Sequence, residues 1–241
     1  MKLFIYGLEL LGELLAYLGV LVFILLIIRF FFKNKIKDFV WRKMMHLVAF
    51  SSIIPLIYNT DNYLVSIIAI GYFIILFVIR LIFLEREEWF HDLLVEKYPY
   101  EIIISMTLFY LVMGLDIYIG WGLCFNRLIP LISICASGFG DALGALIGIG
   151  YGSKHWSIKG VDNKKTIVGS LALFFGIFFL TLILLFSLSS MPWWSILCVS
   201  LFMGLISMVI ELYSPKGTDN LTLPLVNMGI LVLYFYLITL L

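Results

Sequence analysis

Between Gly138 and Ser170 the chain reads GFGDALGALIGIGYGSKHWSIKGVDNKKTIVGS, which sets one carboxylate, Asp141, in a run of small residues. Asp141, Gly144, Gly148 and Gly152 recur at intervals of three, four and four, so on a helix they share one face, and the glycines present no side chain to a ligand or a neighbouring backbone. Lys164, Lys165 and Thr166 follow at an expected helix start, where free backbone N–H groups, a hydroxyl and ammonium groups together suit phosphate. Glycine at every fourth position is also the signature of helix packing in lipid, and lysines at a span end also follow from membrane topology. For these residues taken singly that plainer reading is preferred. Asp141 differs, because a carboxylate flanked by so much apolar sequence is costly unless it is paired, solvated or bound to a cation.

A second group of oxygen ligands lies towards the C-terminus. Glu211 closes an apolar run, and after Ser-Pro-Lys-Gly the pair Asp219-Asn220 opens the next, with Pro224 in its first turns. Asp219 alone could equally be a helix cap. Together, Asp141, Glu211 and Asp219 with the Asn220 amide oxygen form the hard-ligand set that holds Mg²⁺ beside a phosphate chain. Phosphoryl transfer needs positioning and charge neutralisation rather than covalent chemistry, and carboxylates with Lys and Arg supply both. Arg42 and Lys43 add cations, and His46, one turn on, could be a phosphate contact or a base, although a single interfacial His is more often structural. The chain has no GxxxxGK[ST] loop, protein-kinase signature set or HExxH, so a nucleotide site here is of another type.

The elements that must position these residues are membrane spans. Of 241 residues, 63% are hydrophobic and 13% charged, which makes the chain an all-α polytopic membrane protein, read as one domain over 1–241. A net charge of +1 offers no field for nucleic acid, and Cys124, Cys135 and Cys198 show neither metal-ligand spacing nor a disulfide framework. About eight spans are expected: 7–32, 44–58, 63–84, 100–116, one from about Trp121 that is interrupted near Asn126, Arg127 and Pro130, then 166–188, 193–213 and 221–241. The run 138–150 is too short to cross alone and is expected to dip in or to continue the fifth span after a break, and residues 85–99 suit a helix lying in the interface. With the N-terminus outside, all of the 16 Lys and Arg except Lys2 and Arg127 fall on the cytoplasmic side or its flanks. Arg127 is then the clearest deep charge, and the candidate residues converge at the cytoplasmic span ends.

In this order the motifs resemble the CTP-dependent polyprenol kinases, a family of dolichol, phytol and CTP-using diacylglycerol kinases related to phosphatidate cytidylyltransferases. The matching elements are Arg42-Lys43-Met44-Met45-His46, Asp141 through Gly152, Lys164 through Gly169, and Glu211 with Asp219-Asn220 and Pro224. Gly144 stands where the family often has Ala, and Val168 where dolichol kinases carry Glu; the Lys-Asp…His-Gly-Gly signature of the cytidylyltransferases is missing. The resemblance implies a lipid-alcohol kinase that moves the γ-phosphate of CTP onto a polyprenol, a phytol-like alcohol or diacylglycerol. Asp141, Asp219 and Lys165 would be catalytic, and Arg42, Lys43, His46, Gly148, Gly152, Lys164, Thr166 and Asn220 would bind nucleotide. Mg²⁺ would be held by Asp141, Asp219 and Glu211. A cytidylyltransferase-like enzyme and a small transporter are the alternatives; the transporter would need deep charges in several spans.

Overall fold

The structure is a computed structural model that describes residues 2–32, 36–84, 101–157, 165–214 and 218–239. Nine α-helices are described: α1 (Lys2–Phe31), α2 (Asp38–Ser51), α3 (Ile53–Tyr58), α4 (Tyr63–Leu84), α5 (Glu101–Asp116), α6 (Leu128–Tyr151), α7 (Ile167–Leu188), α8 (Trp193–Tyr213) and α9 (Asp219–Thr239). A π-helical segment, Ile117–Leu123, extends α5. Eight stretches are long and apolar enough to cross a membrane, with α2 and α3 forming one of them. The protein is therefore an all-α polytopic membrane protein. The expected interface helix over 85–99 falls outside the described residues.

Two apolar cores meet on α6. One joins α1 to α5 with Leu131 and Ile134 of α6; the other joins α7, α8 and α9 with Ile129, Ile132 and Ala136 of the same helix. More than half of the most apolar window of α6 is buried, against about a tenth for α1, so α6 is central and α1 lies at the periphery. Large apolar side chains such as Phe23, Phe30, Phe83, Phe179 and Leu233 are exposed, as expected of surfaces that face lipid chains.

Three boundaries differ from the sequence reading. The second span begins at Asp38 rather than Met44, because Trp41 is buried and draws the basic segment into α2. Lys43 and His46 thereby sit one turn apart on a helix. The fourth span does not end at Asp116: the apolar segment Ile117–Leu123 continues it, so Asp116 lies inside a span running from 103 to 123. The fifth span is not interrupted at Pro130. The turn is at 124–127, where Phe125 has a positive φ of 54° and Asn126 Oδ1 accepts from the Leu128 N–H at 2.9 Å. Pro130 then occupies the first turn of α6, where its missing N–H would have had no helical partner. From there α6 runs unbroken to Tyr151, and the stretch 138–150 is its second half rather than a re-entrant piece.

Arg127 is correspondingly no deep charge. It donates to Asp61, an almost fully exposed residue, at 2.8 Å and lies over the Trp121 ring at 4.5 Å, at a span end.

Candidate functional site

The site forms where α2, the second half of α6, the start of α7 and the last turn of α8 come together. Asp141 is 7% exposed. Across α2, Lys43 Nζ donates to Asp141 Oδ2 at 2.5 Å, and His46 Nε2 stands 3.1 Å from the same oxygen. A carboxylate removed from water is stabilised by the Lys43 ammonium, and the contact fixes α2 to α6. The approach also depends on Gly138: a Cβ there would lie 2.3 Å from the Phe50 ring, and that ring stacks 4.5 Å from His46 and 4.3 Å from Phe109. Gly138 thus lets the aromatic stack that orients His46 lie against α6.

The second pair comes from the other core. Lys165 Nζ is 2.9 Å from Glu211 Oε1 and also donates to the Glu211 carbonyl oxygen, joining the start of α7 to the last turn of α8. Two backbone bonds hold the segment around Lys165 and Thr166 in place. Trp156 N–H donates to the Lys165 carbonyl at 3.1 Å, and Ile167 N–H donates to Lys154 at 3.0 Å, on either side of a bridge between His155 and Thr166. Trp156 Nε1 further donates to Ser170 Oγ at 3.1 Å.

Thr166 is the N-cap of α7, as expected, and its Oγ1 accepts from Gly169 N–H at 3.1 Å. One of the N–H groups anticipated for phosphate is therefore already engaged. The glycine face of α6 packs directly on this helix start. A Cβ at Gly148 would come within 3.0 Å of Thr166 Oγ1 and 3.1 Å of Gly169 Cα, and one at Gly152 within 2.3 Å of the Gly148 carbonyl oxygen. A Cβ at Gly144 would lie 3.1 Å from the Gly169 carbonyl oxygen. The spacing is thus primarily that of two helices in close backbone contact.

Both ion pairs open onto one cavity of about 360 Å³, within the range of small-ligand clefts. Its lining includes Lys43, Asp141, Gly148, Gly152, His155, Lys165, Thr166 and Glu211. Residues drawn from 43 to 211 in sequence therefore meet at one place. His155, which carried little weight in the sequence, lies on the wall because the bridge to Thr166 folds its segment back; the glycine and lysine runs on either side were the available signal. His46 reaches the site through Asp141. Arg42 and Asn220 are half-buried and have interactions of their own, and neither is among the described residues that line the cavity. Lys164 and the side chain of Asp219 fall outside the described residues.

Among the described residues, no group of three or more His, Cys, Asp and Glu side chains is placed to hold a metal ion. The cavity offers two carboxylates, Asp141 and Glu211, each with an ammonium beside it. These are hard oxygen donors of the type Mg²⁺ prefers. The arrangement can accept an anion bearing several oxygens, because the lysines can exchange carboxylate for phosphate contacts without leaving the cavity. Comparison with family models, with curated proteins and with solved structures finds no match to this chain.

Proposed function

We propose that this protein is a membrane lipid-alcohol kinase that transfers the γ-phosphate of a nucleotide, CTP on the motif resemblance, to the hydroxyl of a polyprenol, a phytol-like alcohol or diacylglycerol. The observation that carries the reading is the meeting of Lys43, Asp141, Lys165 and Glu211, from separate motifs and four elements, around one cavity at an end of the bundle. A lipid alcohol keeps its hydroxyl at headgroup depth, so charged groups at span ends can meet it and a soluble nucleotide in one plane. The basic bias of the connecting segments puts that plane on the cytoplasmic side, with the N-terminus outside.

In this reading Lys43 and Lys165 turn from their carboxylates to the phosphate oxygens and offset their charge. Lys43 and His46 both approach Asp141 at Oδ2, which leaves Oδ1 to take the proton from the lipid hydroxyl. The lipid oxygen bonds to the γ-phosphorus, the bond from that phosphorus to the bridging oxygen breaks, and a nucleoside diphosphate leaves with the electron pair. Mg²⁺, when bound, would be held by Asp141 and Glu211, with Asp219 as the sequence suggests, and would neutralise phosphate charge.

The test is transfer of label. Purified protein in lipid is given γ-labelled CTP or ATP with dolichol, phytol, geranylgeraniol, undecaprenol or diacylglycerol, and label is expected in one extracted lipid. No transfer to any of them, with pyrophosphate released on adding phosphatidate, would replace the kinase by a cytidylyltransferase-like enzyme. The transporter alternative draws on one observation, the buried carboxyl group of Asp116. Two lysine–carboxylate pairs on one terminal cavity favour the enzyme.

A further inference from the structure

Asp116 is the last residue of α5, lies within the span from 103 to 123, and is 0% exposed. Its Oδ2 is 2.6 Å from Ser133 Oγ of α6, and the same Ser133 Oγ is 2.8 Å from the Pro224 carbonyl oxygen of α9. Both separations are those of well-formed O–H···O hydrogen bonds. A serine hydroxyl has one hydrogen and a carbonyl has none, so Ser133 can donate across only one of these contacts. The other needs a second proton.

The neighbouring polar groups do not supply it. Ser207 Oγ donates to Asn227 Oδ1 at 2.7 Å, Asn227 Nδ2 donates to Ser137 Oγ at 2.9 Å, and Ser137 Oγ donates to the Ser133 carbonyl at 2.6 Å. Each hydroxyl hydrogen in that chain is used once and none points to Asp116. The charged residues on or flanking the helices packed against α5, which are α4, α6 and α9, are Arg80, Arg127, Asp141 and Asp219. Arg127 pairs with Asp61 and Asp141 with Lys43, and no ion pair among the described residues reaches Asp116. Its second oxygen, Oδ1, is buried without a hydrogen-bond partner, a state far costlier for a carboxylate than for the carbonyl of an acid.

We propose that Asp116 is a proton-binding site inside the membrane domain: its carboxyl is a neutral acid that donates from Oδ2 to Ser133 Oγ, which in turn donates to the Pro224 carbonyl. The proton count then closes, and one held proton links α5, α6 and α9 just before the π-helical segment. A carboxylic acid kept neutral so that it can donate is an established use of an apolar site. The site is independent of the kinase reading.

Infrared spectroscopy of the full-length protein in lipid tests it through the difference between wild type and Asp116→Asn. A protonated-carboxyl carbonyl band, present in wild type and lost in the variant at neutral pH, is the expected result. Carboxylate bands in that difference, whether or not they depend on added sodium or potassium, would overturn the proposal. Should Asp116→Asn fail to fold, Ser133→Ala takes its place. Removing the acceptor should shift the acid's carbonyl band to higher frequency, whereas a shift confined to carboxylate bands would count against the acid.

Discussion

At the level of single residues, the proposed chemistry rests on two lysines that each hold a carboxylate. Asp141→Asn keeps the shape of the side chain but loses the charge and the proton acceptor. It is expected to lower label transfer by at least about 100-fold while the protein still unfolds cooperatively in detergent. Near-normal turnover in that variant would remove Asp141 from the reaction. Lys165→Ala removes one charge-assisted contact and should chiefly raise KM for the nucleotide, by about tenfold or more; an equal fall in kcat with KM unchanged would assign Lys165 to the transition state instead. Asp141 was legible from sequence because a carboxylate among glycines and leucines demands an explanation. Its partners were not, since Lys43 lies 98 positions away and chain order says nothing about which cation crosses to which acid. Asp116 was hidden for the opposite reason. It stood at the expected end of the fourth span, and only continuation of the helix through Ile117–Leu123 places it inside one.

Among the elements, the contact of α6 with α7 decides how closely the cavity walls approach. Gly152 and Gly150 are two residues apart, yet only Gly152 faces α7. Gly152→Ala should destabilise the protein by about 1–3 kcal/mol, because the added methyl meets the Gly148 carbonyl and Thr166. Gly150→Ala has open space and should be neutral or stabilising by up to about 1 kcal/mol through helix propensity. Thermal unfolding of both variants in one detergent checks this, and equal losses would mean that the glycine face does not set the packing. Hydropathy made the spans plain, since few other segments of this length avoid charge so completely. Their irregularities were harder to read. Asn126-Arg127 followed by Pro130 resembles an interrupted helix when only polarity is considered, whereas the Asn126 side chain accepts from the first N–H of a new helix and the proline falls where no N–H is needed.

For the whole molecule, the proposed cytoplasmic position of the cavity rests on the distribution of basic residues. Single cysteines placed at 37, 159 and 216 in a cysteine-free background should be blocked from an impermeant thiol reagent in intact cells, and one at 61 should react. Labelling of 159 and 216 from outside would reverse the orientation and take the cavity away from cytoplasmic nucleotide. In the proposed reaction the apolar tail would remain between helices while its hydroxyl meets the charged cavity.

The continuity of α6 has a mechanical consequence. A helix of 24 residues is about 36 Å long and moves nearly as a rigid axle. This one carries Ser133, Ser137 and Asp141 on successive turns through its middle, with a core packed on either flank. Rotation or sliding that admits a ligand at Asp141 is therefore felt at Ser133. If cavity binding changes the proton affinity of Asp116 by some factor, loss of that proton must change the affinity of the cavity by the same factor.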